Sequence, residues 1–201
     1  MEKKLLITGF DPFGGESINP SWEAVKLLPD TIGNYAVTKM EIPTVFGKAA
    51  DIVLAECENL CPNVIICVGQ AGGRSAITPE VIGINLRDAR IADNEGNQPV
   101  NVPVVEGGAA AFFATLPIRK MVEDINAEGI PAALSYSAGA FVCNDVLYTL
   151  LNKFDGTKTK VGFIHVPFLP EQAKDGVFSM ELKTIAKALE TAVLSLEGET
   201  I

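Results

Sequence analysis

Histidine is nearly absent from this chain. His165 is the single imidazole in 201 residues, so any chemistry that needs one must be built around that position. Cysteine is scarce as well. Cys57, Cys61, Cys67 and Cys143 are too few for a disulfide scaffold, which would be smaller and far denser in cysteine. Cys57 and Cys61 share a helical pattern, but zinc needs further soft ligands and His165 lies far along the chain. No metal is expected, and Cys57, Cys61 and Cys67 read as reduced, mostly buried core residues. Positive charge is also short: 16 Lys and Arg stand against 25 Asp and Glu, a net charge of −9. With no basic stripe, nucleic acid is excluded as a partner. No apolar run reaches membrane-spanning length. The start, MEKKLLITGF, passes from charge directly into a short strand without the apolar core of a signal peptide. No membrane partner is expected, and the expected location is the cytoplasm. Linkers, repeats and low-complexity tracts are missing, so residues 1–201 are expected to form one domain.

What remains is an alternation of strand and helix signals. Strands are expected at 3–8, 36–42, 64–68, 81–86, 131–136 and 161–166. The run VIICV at 64–68 has the unbroken apolar character of a central strand covered on both faces. Asn19 reads as a helix N-cap with Pro20 at the first helical position. Further helices are expected over 45–60, from Pro117 to Gly129, from Cys143, and over about 179–196. Residues 87–108 read as loop. The pattern predicts a three-layer α/β/α domain with a mostly parallel twisted sheet flanked by helices. In such folds sites form at the carboxyl ends of the strands. Four loops there carry unusual residues and are expected to converge: GFDPFGG, GQAGGR, SAGAFVC and HVPFLP.

The stretch YSAGAFVCND, residues 136–145, holds the most telling residue. Cys143 follows a small-residue turn at the start of a helix, where the thiolate is favoured over the thiol. If Cys143 is a nucleophile activated by an imidazole, that imidazole is His165, near the carboxyl end of its own strand. A third group must orient the ring. Composition leaves Asp11, Glu80, Asp88, Asp93, Glu95, Asp145 and Glu171 all open. GQAGGR offers backbone N–H groups to a phosphate, yet has neither the P-loop ending nor the dinucleotide spacing. Phe10 and Phe13 flank a Pro-Gly turn and suit either core packing or an apolar ligand wall.

With these residues in view, the sequence resembles the pyroglutamyl peptidase I (pyrrolidone-carboxylate peptidase) family of cysteine peptidases. The resemblance spans about residues 4–190. It is carried by GFDPFGGESINPSWEAVK, CVGQAGGR, ITPE, DNEGNQPV, LPI, GIPAALSYSAGAFVCN and GFIHVPFLPEQ. It implies Cys143 as nucleophile, His165 as acid–base and Glu80 as the orienting carboxylate. It implies an oxyanion site from Arg90 and the Cys143 N–H, and a pyroglutamyl pocket from Phe10, Phe13, Phe141 and Val142 with backbone contacts near Gln70. It further implies pyroglutamyl peptides as substrates, no cofactor, and a homotetramer. The segments at 152–160 and 173–178 are shorter than the family pattern. Three influences are expected to lower the thiol pKa: the helix start, the His165 imidazolium and Arg90. The alternatives on the same fold are a nucleoside-phosphorylase-like transferase, opposed by the few arginines (Arg74, Arg87 and Arg90), and a non-catalytic binding protein.

Overall fold

The computed structural model describes residues 3–174 and 176–197. Its strands are β1 (Lys3–Phe10), β2 (Thr31–Ile32), β3 (Tyr35–Ile42), β4 (Val64–Gln70), β5 (Thr78–Pro79), β6 (Ile82–Ile84), β7 (Ala111–Phe113) and β8 (Lys160–Val166). Its helices are α1 (Pro20–Lys26), α2 (Lys48–Leu60), α3 (Ile118–Ala127), α4 (Val142–Phe154) and α5 (Leu182–Leu194). The main sheet runs β2-β3-β1-β4-β8-β5, and β6 pairs with β7 separately. The inner strands β3, β1, β4 and β8 are parallel, while β2 and β5 join antiparallel at the two edges.

Two apolar cores lie on opposite faces of this sheet, because successive residues of a strand point to opposite sides. Leu5, Ile7, Val64 and Ile66 pack with α1, α3 and α5; Leu6, Ile65 and Cys67 pack with α2 and α4. The three layers and the mostly parallel sheet follow. Helix α1 starts as expected, with the Asn19 side chain accepting from the Ser21 N–H and Pro20 in the first turn. It lies so close to the end of β1 that a Cβ on Gly9 would come within 2.5 Å of the Trp22 Cα.

Three features differ from the sequence reading. Residues 131–136 are extended but form no continuous strand. They bridge to residues 77–81 through isolated pairs, Ile77 with Ala132 and Glu80 with Ser135. Pro79 has no N–H to give, so one rung is missing between the bonds that Ile77 makes with Pro131 and Ala133 and those that Ser135 makes with Pro79 and Val81. The short strands β2, β5 and β7 carry too few residues for a period-2 signal. Cys61 is exposed, closing α2 in a left-handed conformation at φ 50°; Cys57 and Cys67 are buried. Residue 175, within the short segment 173–178, and residues 1–2 and 198–201 lie outside the described residues. Among the described residues no helix is long and apolar enough to cross a membrane.

Candidate active site

β8 delivers His165 one residue before its end, and β5 runs antiparallel beside it with Thr78 opposite His165. The chain then places Glu80 against the imidazole: the Glu80 N–H donates to the Phe163 carbonyl at 2.8 Å. Glu80 is fully buried. Its Oε1 lies 2.7 Å from His165 Nδ1 and 2.8 Å from Arg74 Nη1, and its Oε2 has no hydrogen-bond partner among the described residues. Of the seven carboxylates left open by composition, Glu80 is the one bonded to the ring. Asp145 instead accepts from the Gly47 N–H and Arg87 Nε, at 2.7 and 2.6 Å. Asp93 accepts from the Phe46, Glu95 and Asn97 N–H groups.

Cys143 is the second residue of α4. First-turn N–H groups have no partner within a helix, so its backbone donor is available to a ligand. The helix start is anchored by Asn144, which donates to the Ile84 and Leu86 carbonyls and accepts from the Ile84 N–H. The Cys143 sulfur lies over β4. A Cβ built on Gly69 would stand 3.0 Å from Sγ and 2.7 Å from the Phe163 ring. Gly69 is the register partner of His165 on the neighbouring strand, and neighbouring strands are about 4.8 Å apart. Thiol and imidazole therefore occupy adjacent places along one strip of sheet. With Nδ1 engaged by Glu80, Nε2 is the ring nitrogen left for the cavity that His165 lines.

That cavity, about 640 Å³, is lined by both residues and by parts of three of the convergent loops: Phe13, Gln70 to Gly72, and Ser137 to Phe141. The fourth, HVPFLP, lends His165 and packs Phe168 against Gly72, where a Cβ would meet the ring at 2.2 Å. Phe13 and Phe141 form an apolar wall with ring centroids 6.1 Å apart, and Phe46 meets Phe141 edge-on at 5.2 Å. Arg90 lines the cavity and is exposed, its guanidinium without a hydrogen-bond or ion-pair partner among the described residues. Phe10 and Val142 sit behind the wall. Both are buried in the core shared with α2 and α4, Phe10 against Phe163 at 6.2 Å. Their side chains face the core because β1 is covered on both faces and Val142 points into the sheet side of α4. Sequence reasoning passed over Phe46, Ile91, Asn144 and Gln172. Gln172 donates to the Gln70 side-chain oxygen at 3.0 Å.

Burial dominates the electrostatics. It pushes the Cys143 thiol up to about 12, with the Glu80 charge adding to the rise and Arg74 opposing it. This overturns the expected lowering: the helix start is outweighed by loss of solvent around sulfur. Burial likewise holds His165 below its ordinary value, although Glu80 pulls it upward. Glu80 is raised by burial, but the His165 hydrogen bond and charge, with Arg74, outweigh that and hold it below the usual carboxylate range. Among the described residues no group of metal-ligating side chains is assembled.

A thiol, an imidazole and a buried carboxylate converging at strand ends, beside free backbone and guanidinium donors, define a cysteine-hydrolase type of site. Comparison with known proteins makes this particular. Residues 3–198 match the pyroglutamyl peptidase family model, and the chain belongs to that family of cysteine-peptidase hydrolases. It is 55% identical over 196 residues to the pyrrolidone-carboxylate peptidase of Bacillus thuringiensis strain Al Hakam, covering 95% of this chain and 91% of that one. The crystal structure of pyroglutamyl peptidase I from Bacillus amyloliquefaciens superposes with a TM-score of 0.96 at 49% identity, over 99% of this chain and 97% of that one. Pyrrolidone carboxyl peptidase from Thermococcus litoralis gives 0.92 at 40% identity, over 96% and 93%. These relatives are named as peptidases, which leaves the phosphorylase and binding-protein alternatives without support.

Gly69 tests the packing of sulfur against strand. A methyl group there has no room unless Phe163 or Sγ moves. Gly69→Ala is expected to slow alkylation of Cys143 by iodoacetamide roughly 10- to 100-fold, the scale of a misplacement near 1 Å. The melting temperature should fall by the equivalent of about 1–3 kcal/mol of overpacking. An unchanged alkylation rate would show that sulfur does not depend on that gap.

Proposed function

We propose that this chain removes an N-terminal pyroglutamyl residue from peptides by cysteine-dependent acyl transfer, with Cys143, His165 and Glu80 as the reacting group. The observation that carries this reading is the Cys143 sulfur, at the start of α4, seated over Gly69, the register partner of His165, with the ring held at Nδ1 by a buried carboxylate. Cys143 Sγ attacks the carbonyl carbon that joins pyroglutamate to the next residue, and its proton passes to His165 Nε2. The Cys143 N–H and Arg90 bind the oxygen that gains negative charge. The imidazolium then protonates the leaving nitrogen and the C–N bond breaks, leaving a thioester. Water adds with His165 as base, free pyroglutamate leaves, and the thiol is restored.

The substrate end is a neutral lactam with no amine to grip. Phe13, Phe141 and Ile91 supply apolar contact in the cavity, Phe10 and Val142 back that wall, and Gln70 supplies polar contact. Proline lacks the ring carbonyl and would leave those polar groups unpaired, so it is rejected. The four free thiols suit a reducing compartment, and we place the enzyme in the cytoplasm as a homotetramer. Light scattering tests the assembly.

The direct test is release of a fluorescent amine from a pyroglutamyl amide under reducing conditions, with a prolyl amide alongside. Cleavage of the first alone is expected. Because His165 is held below about 6.5, kcat/KM should stay flat through neutral pH and fall only as the ring takes a proton on the acid side. Equal cleavage of both amides, or of neither, would overturn the reading.

A further inference from the structure

The glycine-rich stretch GQAGGR follows β4, and its shape shows what it delivers. The Arg74 N–H closes a turn onto the Ala71 carbonyl at 3.3 Å. Gly73 sits at φ 83°, a left-handed conformation that favours glycine, and Gly72 has no space for a Cβ beneath Phe168. The turn folds Arg74 back across β5 at the carboxyl end of β8, where it reaches Thr78 and Glu80.

There the guanidinium spans two separate chain segments. Nη1 reaches Thr78 Oγ1 at 2.6 Å, Glu80 Oε1 at 2.8 Å and Ser135 Oγ at 3.2 Å. Nη2 donates to the Ser137 carbonyl at 3.0 Å. Thr78 and Glu80 belong to the strip that holds His165. Ser135 and Ser137 belong to the segment that leads through Phe141 into α4 and Cys143. Backbone bonds already join these segments, among them Ser135 N–H to the Pro79 carbonyl at 3.0 Å and Val81 N–H to the Ser135 carbonyl at 2.7 Å, and the guanidinium adds a side-chain tie beside the one rung that Pro79 leaves out. Glu80 Oε1 is the junction of the tie. It accepts from both Arg74 and His165, while Oε2 is buried without a hydrogen-bond partner among the described residues. Without Arg74 the carboxylate would keep the imidazole and the Ser135 hydroxyl.

We infer that Arg74 is a positioning residue for the peptidase reaction: its planar fork fixes the Glu80 carboxylate against His165 Nδ1 and clamps the Cys143-bearing segment to the same strand ends. The inference rests on the peptidase reading above. A lysine cannot reproduce the role, since a single ammonium does not match two nitrogens that together reach four acceptors on two segments. The charged and titratable groups facing His165 are Glu80 from the end of β5, Arg74 from its loop and the Cys143 thiol from α4. Asp88 and Arg90 line the same cavity from the 87–108 loop. Of these, Arg74 lowers and Glu80 raises the imidazole's affinity for a proton, which gives Arg74 a signature in the pH profile.

The test compares wild type with Arg74→Gln, Arg74→Lys, Arg74→Ala and Cys143→Ala on a pyroglutamyl amide. For Arg74→Gln, kcat is expected to fall roughly 10- to 100-fold, as when an outer hydrogen-bond partner of a site is removed, with little change in KM. The acid limb of kcat/KM should move to higher pH. Arg74→Lys should keep the limb near its wild-type position while kcat stays low. Millimolar guanidinium chloride, against sodium chloride at equal ionic strength, should restore part of the Arg74→Ala rate; a variant that had merely lost its fold would not respond. Wild-type kcat and pH limb in Arg74→Gln would overturn the inference. So would a loss of rate with the limb unmoved and no guanidinium response. Activity retained by Cys143→Ala would instead sink the peptidase reading. A dead Cys143→Ala beside a fully active Arg74→Gln would sink only the role of Arg74.

Discussion

Cys143→Ala and Cys143→Ser are expected to lower kcat/KM for a pyroglutamyl amide by at least about 10⁴-fold, the scale seen when a nucleophile of an acyl-transfer site is removed. Serine is no rescue. Its hydroxyl holds its proton more tightly than a thiol and is the weaker nucleophile at neutral pH. Burial that pushes the thiol up to about 12 would press a hydroxyl in the same direction. The fold should survive both changes. Cys143 lines a cavity, and the start of α4 is held independently by Asn144 and Asp145. Circular dichroism should match wild type and melting should fall by no more than about 1 kcal/mol, because Cys143 is only partly buried against the core of α2 and α4. His165→Ala should be nearly as severe, because no second imidazole exists to replace it. Retention of turnover in either Cys143 variant would remove the nucleophile from the scheme.

How much of this could be read before any coordinates depended on which physical signal each residue leaves. β4 announced itself through an unbroken apolar run, because burial on both faces demands apolar residues at every position. α1 was legible through Asn19 and Pro20, whose side-chain and φ preferences are local. The edge was harder. β5 has two residues, one of them Pro79, and the segment 131–136 bridges beside it only through isolated pairs, so neither shows a period. Without that edge nothing in the chain separated Glu80 from Asp145 or Asp93 on physical grounds; only resemblance did. The geometry explains why. Glu80 reaches His165 through an antiparallel pairing across 85 positions of sequence, a long-range contact that composition cannot encode. Arg74 was missed for the opposite reason. Glycines beside an arginine look like an anion cradle, and only the turn shows the arginine serving a carboxylate of its own chain.

The thiol carries a second lesson. A helix start favours a thiolate, and that influence is visible in sequence. Loss of solvent acts the other way and is set by how the loops close over sulfur, which sequence does not display. Phe10 and Val142 differ from the pocket reading for a related cause. They adjoin wall residues in sequence, but alternation along β1 and the first turn of α4 sends them into the core.

Glu80→Gln separates orientation from proton transfer. The amide is nearly isosteric, so the ring should stay in place but lose the charge that supports its protonated form. A kcat loss of roughly 10²–10³-fold is expected, milder than for Cys143 because His165 can still move protons. The direction of the pH shift is fixed by Glu80 raising His165: with the charge gone, the acid limb of kcat/KM should move to lower pH, opposite to Arg74→Gln. Stability follows the carboxyl itself. Folding holds Glu80 below its ordinary range, so its contribution is present above about pH 4.3 and is lost as pH falls through the lower folded value. The melting temperature of wild type should therefore drop more steeply on acidification than that of Glu80→Gln, and the two curves should converge at low pH. A variant with wild-type rate and an unmoved limb would mean that the bond between Glu80 and His165 has no part in turnover. A rate loss with the limb shifted to higher pH would mean that the carboxylate disfavours the imidazolium, reversing the assignment of charge in the site.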